Sequence, residues 1–154
     1  MAAMATAAAP VFGPGEAAER QLGELLALPD AAVCAESLAH ADALERIGES
    51  VLESWLRAHG RTPARTRVEG FRLLALHRQA ARGDPSFNAC RESCRELIFR
   101  CNVARAAPAE AAHALRLAAM VCQHLALFVG GKLQVAGLGE FCCAARPLRA
   151  ADAK

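Results

Sequence analysis

The chain has 154 residues, 54% of them hydrophobic, and a formal net charge of +2. That length suits one domain with a core of its own, and the apolar content excludes a disordered polymer. The small net charge argues against a general nucleic-acid binder.

Ala, Leu, Arg and Glu are abundant, β-branched residues are scarce and Tyr is absent. That balance favours helix over strand. The expected fold is all-α: an antiparallel bundle of five to six helices with a mostly apolar central helix at about 108–129. A flexible Ala/Pro/Gly tail is expected over 1–15, a single bundle domain over 16–146 and a second tail over 147–154. The longest apolar stretch, Leu117 to Gly131, contains Gln123 and His124. It is shorter than the ~20 residues a bilayer needs, so no transmembrane segment is expected. No basic residue precedes a hydrophobic run at the N-terminus, so no secretory signal is expected either. Seven cysteines, an odd number, then point to a reducing compartment: the cytoplasm first, the nucleus second.

The first helical segment, Glu16 to about Leu28, places Ala18, Leu22, Leu25 and Leu26 on one stripe. Pro29 ends it, and Asp30 is the expected cap of the next. The second segment runs from about Ala31 to His59. Its seam is Cys34, Leu38, Ala41, Leu44, Gly48, Val51, Trp55 and Ala58, widened by Ile47 and Leu52. Gly48 marks a bend or a close helix contact, and Gly60 is a stop.

Thr62-Pro63 reads as the start of the third segment, a cap followed by Pro at the first helical position. Its stripe is Val68, Phe71, Leu74 and Ala75, broadened by Leu73 and Leu76, and Gly83 ends it. Asp84-Pro85 repeats the start signal for the fourth. There Phe87, Cys90, Cys94, Leu97, Cys101 and Ala104 form the cleanest seam, with Arg91, Glu92, Arg95 and Arg100 opposite. Pro108 opens the fifth segment, apolar nearly all round from Leu115 to Val129 and expected to end at Gly130-Gly131. Beyond it, Phe141, Cys142 and Cys143 are candidates to dock a last short helix. Leu97, Leu117, Leu125 and Trp55 are expected in one core. Connections of two to four residues should make neighbours antiparallel.

Charge is unevenly spread. Residues 1–60 sum to −6, residues 61–105 to +6 and the remainder to +2. Arg57, Arg61, Arg65, Arg67 and Arg72 cluster around the turn between the second and third segments and form the candidate interaction surface. Positive charge at a helix start opposes the helix dipole, so an anion is needed there. The internal source is the stripe Asp42, Glu45, Glu49 and Glu53. The external sources are an acidic partner, nucleic-acid phosphate or an anionic lipid, with nucleic acid disfavoured by the lack of stacking aromatics.

Other chemistry is thin. Cys90, Cys94 and Cys101 share a face, and His113 and His124 share another, but zinc sites pair short Cys/His spacings and a single C-x₃-C stands alone. Core packing is the expected role of these thiols. No serine lies in G-x-S-x-G. Gly130-Gly131-Lys132 ends a helix, whereas a phosphate loop opens one. No catalytic residue, metal or cofactor is therefore expected.

An apolar helix wrapped by amphipathic ones resembles the plan of Bcl-2-like apoptosis regulators. The resemblance is one of architecture, since their Asn-Trp-Gly-Arg motif is absent and Trp55 is the single Trp. It implies a helical regulator. The leading expectation is a non-enzymatic helical protein-interaction module, an adaptor, scaffold or regulatory subunit whose partner is another protein. The competing expectation is an anion-binding module that uses the Arg-rich turn 57–72 for phosphoinositide or nucleic-acid phosphate.

Overall fold

A computed structural model describes residues 14–137. Most of the expected N-terminal tail, the docking of Phe141, Cys142 and Cys143, and the tail 147–154 lie outside the described residues. Within them the chain is an all-α antiparallel bundle. Its elements are α1 (Pro14–Ala27), α2 (Asp30–Ala35), α3 (Ser37–Ala58), α4 (Arg72–Gly83), a 3-10 turn (Pro85–Cys90), α5 (Arg91–Ala106), a second 3-10 turn (Pro108–Glu110) and α6 (Ala111–Val135). The described residues contain no strand, but one isolated bridge joins Val68 and Phe71.

The expected central helix is central. α6 packs against α1, α2, α3 and α5, burying Leu115, Ala118, Ala119, Cys122, Leu125 and Val129. Trp55, Leu97 and Leu125 share its core, but Leu117 is half-buried and outside it. By length and composition Pro108–Val135 is long and apolar enough to cross a membrane, longer than its sequence implied, and 39% of its apolar window is buried in the bundle. The cysteine seam is buried throughout, from Phe87 and Cys90 in the 3-10 turn to Cys101 and Ala104 in α5.

Gly48 is a close contact. A Cβ there would meet Leu97 Cδ2 at 2.8 Å and Leu73 Cδ1 at 3.2 Å, so the missing side chain lets α3 approach α4 and α5. At the end of α3, Gly60 N–H donates to Arg57 O and Arg61 N–H to Leu56 O, each at 2.9 Å. With Gly60 at φ +69° this is a Schellman stop, in which a left-handed glycine satisfies the last carbonyls.

Four boundaries depart from the sequence reading. The second segment breaks at Glu36, whose backbone is non-helical, and the break turns Leu38 outward to 55% exposure. Asp30 makes no cap bond. It pairs instead with Arg116 Nη2 at 2.6 Å, while the same guanidinium donates to the carbonyls of Leu26 and Leu28 at the end of α1. A cation satisfying terminal carbonyls is the favoured arrangement there. α4 starts at Arg72, not at Thr62-Pro63, so the connection after α3 is a long loop. Arg65 and Arg67 would have put positive charge into the first turn of an earlier start; in the loop they do not.

Finally, α6 runs through Gly130-Gly131 to Val135. Two exposed glycines inside a helix cost about 1 kcal/mol each relative to Ala. Lys132 offsets this. Its Nζ donates to Ser86 Oγ, pairs with Asp84 Oδ2 at 2.7 Å and lies 5.4–5.8 Å from the ring centres of Trp55, Phe87 and Phe128. The helix stops where Gly137 takes φ +71°.

Candidate anion-binding cleft

The acidic stripe of α3 is shared among three arginines. Glu49 and Glu53 meet Arg72, whereas Asp42 and Glu45 meet Arg105 of α5 at 2.7 and 2.6 Å. Internal pairing therefore absorbs Arg72 fully. Arg57 pairs with Glu53 along its own helix at 3.1 Å. Arg61 lies over Gly83 and donates to Gln79 O at 3.3 Å. Arg65 and Arg67 are exposed, with no hydrogen bond or ion pair among the described residues. The five arginines thus do not converge on one point.

The loop that carries them is held by one side chain. Gln79 Oε1 accepts from Ala64 N–H at 2.7 Å, and its Nε2 donates to Thr62 O at 2.8 Å. Arg72 Nε adds a bond to Ala64 O at 2.9 Å. The loop closes in a tight turn, with Val68 and Phe71 exchanging both backbone hydrogen bonds. Glu69 and Gly70 at its tip take φ +54° and +86°.

That turn sets Glu69 at the rim of a different basic site. A cleft of about 370 Å³ lies between α4 and the start of α5, lined by His77, Arg78, Arg82, Asn88, Arg91 and Arg95 among others. Arg78 and Arg82 are one helical turn apart on α4, as are Arg91 and Arg95 on α5, so each pair presents one face. Arg95 holds Glu69 in a two-pronged bond at 2.9 and 3.0 Å. The hydrogen bonds and charge of Arg95 hold the Glu69 carboxyl below its ordinary value, with longer-range help from Arg78 and Arg91. Among the described residues, Arg78, Arg82 and Arg91 make no hydrogen bond or ion pair of their own.

No protein-family model matches this chain. Neither a curated protein nor a solved structure is significantly similar to it. The likeness in plan to the Bcl-2-like regulators accordingly carries no argument, and the site rests on its own chemistry.

Below the cleft, His77 is buried and donates from Nε2 to Phe87 O at 2.7 Å, a carbonyl that also accepts from Cys90 Sγ at 3.1 Å. Burial works against the imidazolium, but bonds to Cys90 and Phe87 outweigh it and raise His77. The Cys94 thiol and His77 together lower Cys90 against its burial, while Cys90 and burial raise Cys94. Both thiols are sealed, at 3% and 0% exposure. His113 and His124 are exposed on α6. Among the described residues no three His, Cys, Asp or Glu side chains converge to hold a metal ion.

The cleft was not singled out in the sequence, although its signal was present. Arg78/Arg82 and Arg91/Arg95 are both i,i+4 pairs. What periodicity does not reveal is that two helices turn these pairs toward one another.

Proposed function

We propose that this chain is a non-enzymatic helical interaction module that docks an acidic segment of a partner protein in the arginine cleft between α4 and α5. One observation carries the reading: two i,i+4 arginine pairs line one cleft, and a single carboxylate answers them. Guanidinium forks match carboxylate and phosphate geometry and are weakly hydrated, which favours them at protein interfaces. That Arg57 and Arg72 of the turn 57–72 already face glutamates favours the cleft over the turn as the anion site in this reading. Free thiols at Cys34, Cys90, Cys94, Cys101 and Cys122 support a reducing setting, cytoplasmic first.

The test is a titration of a fluorescein-labelled, Asp/Glu-rich peptide with the full chain at low and high salt. Saturable binding that weakens steeply with salt is expected. The double variant Arg78→Glu/Arg82→Glu should abolish it, and Arg65→Glu/Arg67→Glu should leave it unchanged. The reading is overturned if the first variant binds normally, if the second loses binding, or if anionic vesicles or RNA bind in preference to the peptide.

A further inference from the structure

We propose that the group the cleft takes is a phosphoryl monoester on a partner's serine or threonine, and that Glu69 is its built-in stand-in. The proposal rests on the reading of the cleft given above and deepens it.

The first reason is the count of donors. One carboxylate is satisfied by one guanidinium fork, as Glu69 is by Arg95 at 2.9 and 3.0 Å. Three further forks, on Arg78, Arg82 and Arg91, line the same cleft. A second carboxylate would use one of them. A phosphate monoester carries close to two negative charges and three terminal oxygens. Its oxygens accept several forks at once, and arginine is the residue suited to that planar, two-pronged recognition. The volume of about 370 Å³ holds the phosphoryl group with its side chain.

The second reason is the backbone that delivers Glu69. It is the non-glycine residue with positive φ among the described residues, at +54°. Two-residue turns with positive φ at both positions favour Asn-Gly, Asp-Gly or Gly-Gly. Glutamate gains nothing from that conformation, since its side chain is too long for the local bonds that help Asn and Asp. A strained residue at a binding site is a pointer to function when the strain is observed first, and here it sets a carboxylate against Arg95. At the same time Glu69 is not anchored in the core. Its side chain is 57% exposed, while Val68 and Phe71 on either side are half-buried and hold the turn. The carboxylate is free to swing away without unpacking the bundle.

Together these features make an exchange. An incoming phosphoryl group displaces Glu69 from Arg95 and gains the fourth fork. A single carboxylate, offering no more than Glu69 does, competes poorly. Glu69 thereby screens weak anions out of the cleft.

The experiment compares a fluorescein-labelled serine peptide with its phosphoserine twin on the full chain. The phosphorylated peptide should bind at least about tenfold more tightly. Inorganic phosphate should compete with it. Glu69→Gln keeps the shape and removes the charge, and should tighten the phosphopeptide about three- to fivefold, the scale of one exposed ion pair. A thermal melt of the variant confirms that it is folded, and on the native chain the Gly70 amide should shift on binding by NMR. Equal affinity for the two peptides overturns the phosphoryl assignment while leaving the acidic-segment reading intact. A tight phosphopeptide with unchanged or weaker affinity in Glu69→Gln and no Gly70 shift overturns the role of Glu69 alone. Phosphate-headgroup vesicles that outcompete the phosphopeptide overturn the protein ligand. No binding of either peptide overturns the cleft reading itself.

Discussion

Gly48 and Asp84 show how much a single side chain carries here. Gly48 sits inside a helix, where Ala is favoured by about 1 kcal/mol, but its Cβ would lie 2.8 Å from Leu97 in a filled core. Overpacking costs about 1–3 kcal/mol, which equals or exceeds the gain in propensity. Gly48→Ala should lower stability by about 1 kcal/mol in urea melts; a more stable variant would mean Leu97 repacks freely. Asp84 is held down at about 2 against an ordinary 3.8, chiefly by its hydrogen bond from Lys132, then by Ser86. A depressed carboxylate adds stability that is fully present above about 3.8 and is lost as pH falls toward about 2. Because the Asp84 side chain is 30% exposed, solvent screening keeps the contribution near ~1 kcal/mol. Asp84→Asn preserves the cap on Ser86 N–H and should therefore melt lower at neutral pH, with the gap closing in acid. A gap of constant size would show that the Lys132 pair contributes nothing. Gly48 was legible in the sequence as a bend or a close contact, of which the structure shows the contact, and Asp84 was legible as a cap. The pairing of Asp84 with Lys132 was not, since nothing local joins residues so far apart in the chain.

Among the elements, the loop after α3 best separates what local signals decide from what packing decides. Thr62-Pro63 is a sound helix start in isolation, yet Gln79, fifteen residues beyond Ala64, satisfies the backbone there and the helix waits until Arg72. The continuous pattern from Ala31 to His59 likewise hid the break at Glu36, because Val33 and Ala41 stay in register with the core on either side. The density of arginine along 57–72 drew attention to the turn, whereas the cleft needed two helices to be placed side by side. The loop also yields a test. Arg72 bridges Glu49, Glu53 and Ala64 O and is mostly shielded, while Arg65 and Arg67 are exposed. Arg72→Glu should destabilise by about 2–3 kcal/mol through an uncompensated, partly buried charge cluster. Arg65→Glu/Arg67→Glu should stay within about 0.5 kcal/mol of the parent. Equal losses in the two variants, measured by thermal melts, would refute the internal-pairing role of Arg72.

Over the whole molecule the all-α class and the central place of α6 followed from composition and period. Packing is what those signals report, and Leu125 on α6 is fully buried. Leu125→Ala should cost about 2–5 kcal/mol, or roughly 6–15 °C in Tm for a chain this long. A parental melting curve would remove α6 from the centre. The bundle is also closed across its length: α1 packs on α6, and Arg116 ties Leu26, Leu28 and Asp30 to it. On the ribosome, domains fold from the N-terminus as they emerge, yet here α1 meets its main support in the last described helix made. α1 therefore leaves the exit tunnel well before α6, and until residue 116 and its neighbours follow it has chiefly α3 to pack on. During synthesis α1 is thus a segment that a chaperone would meet.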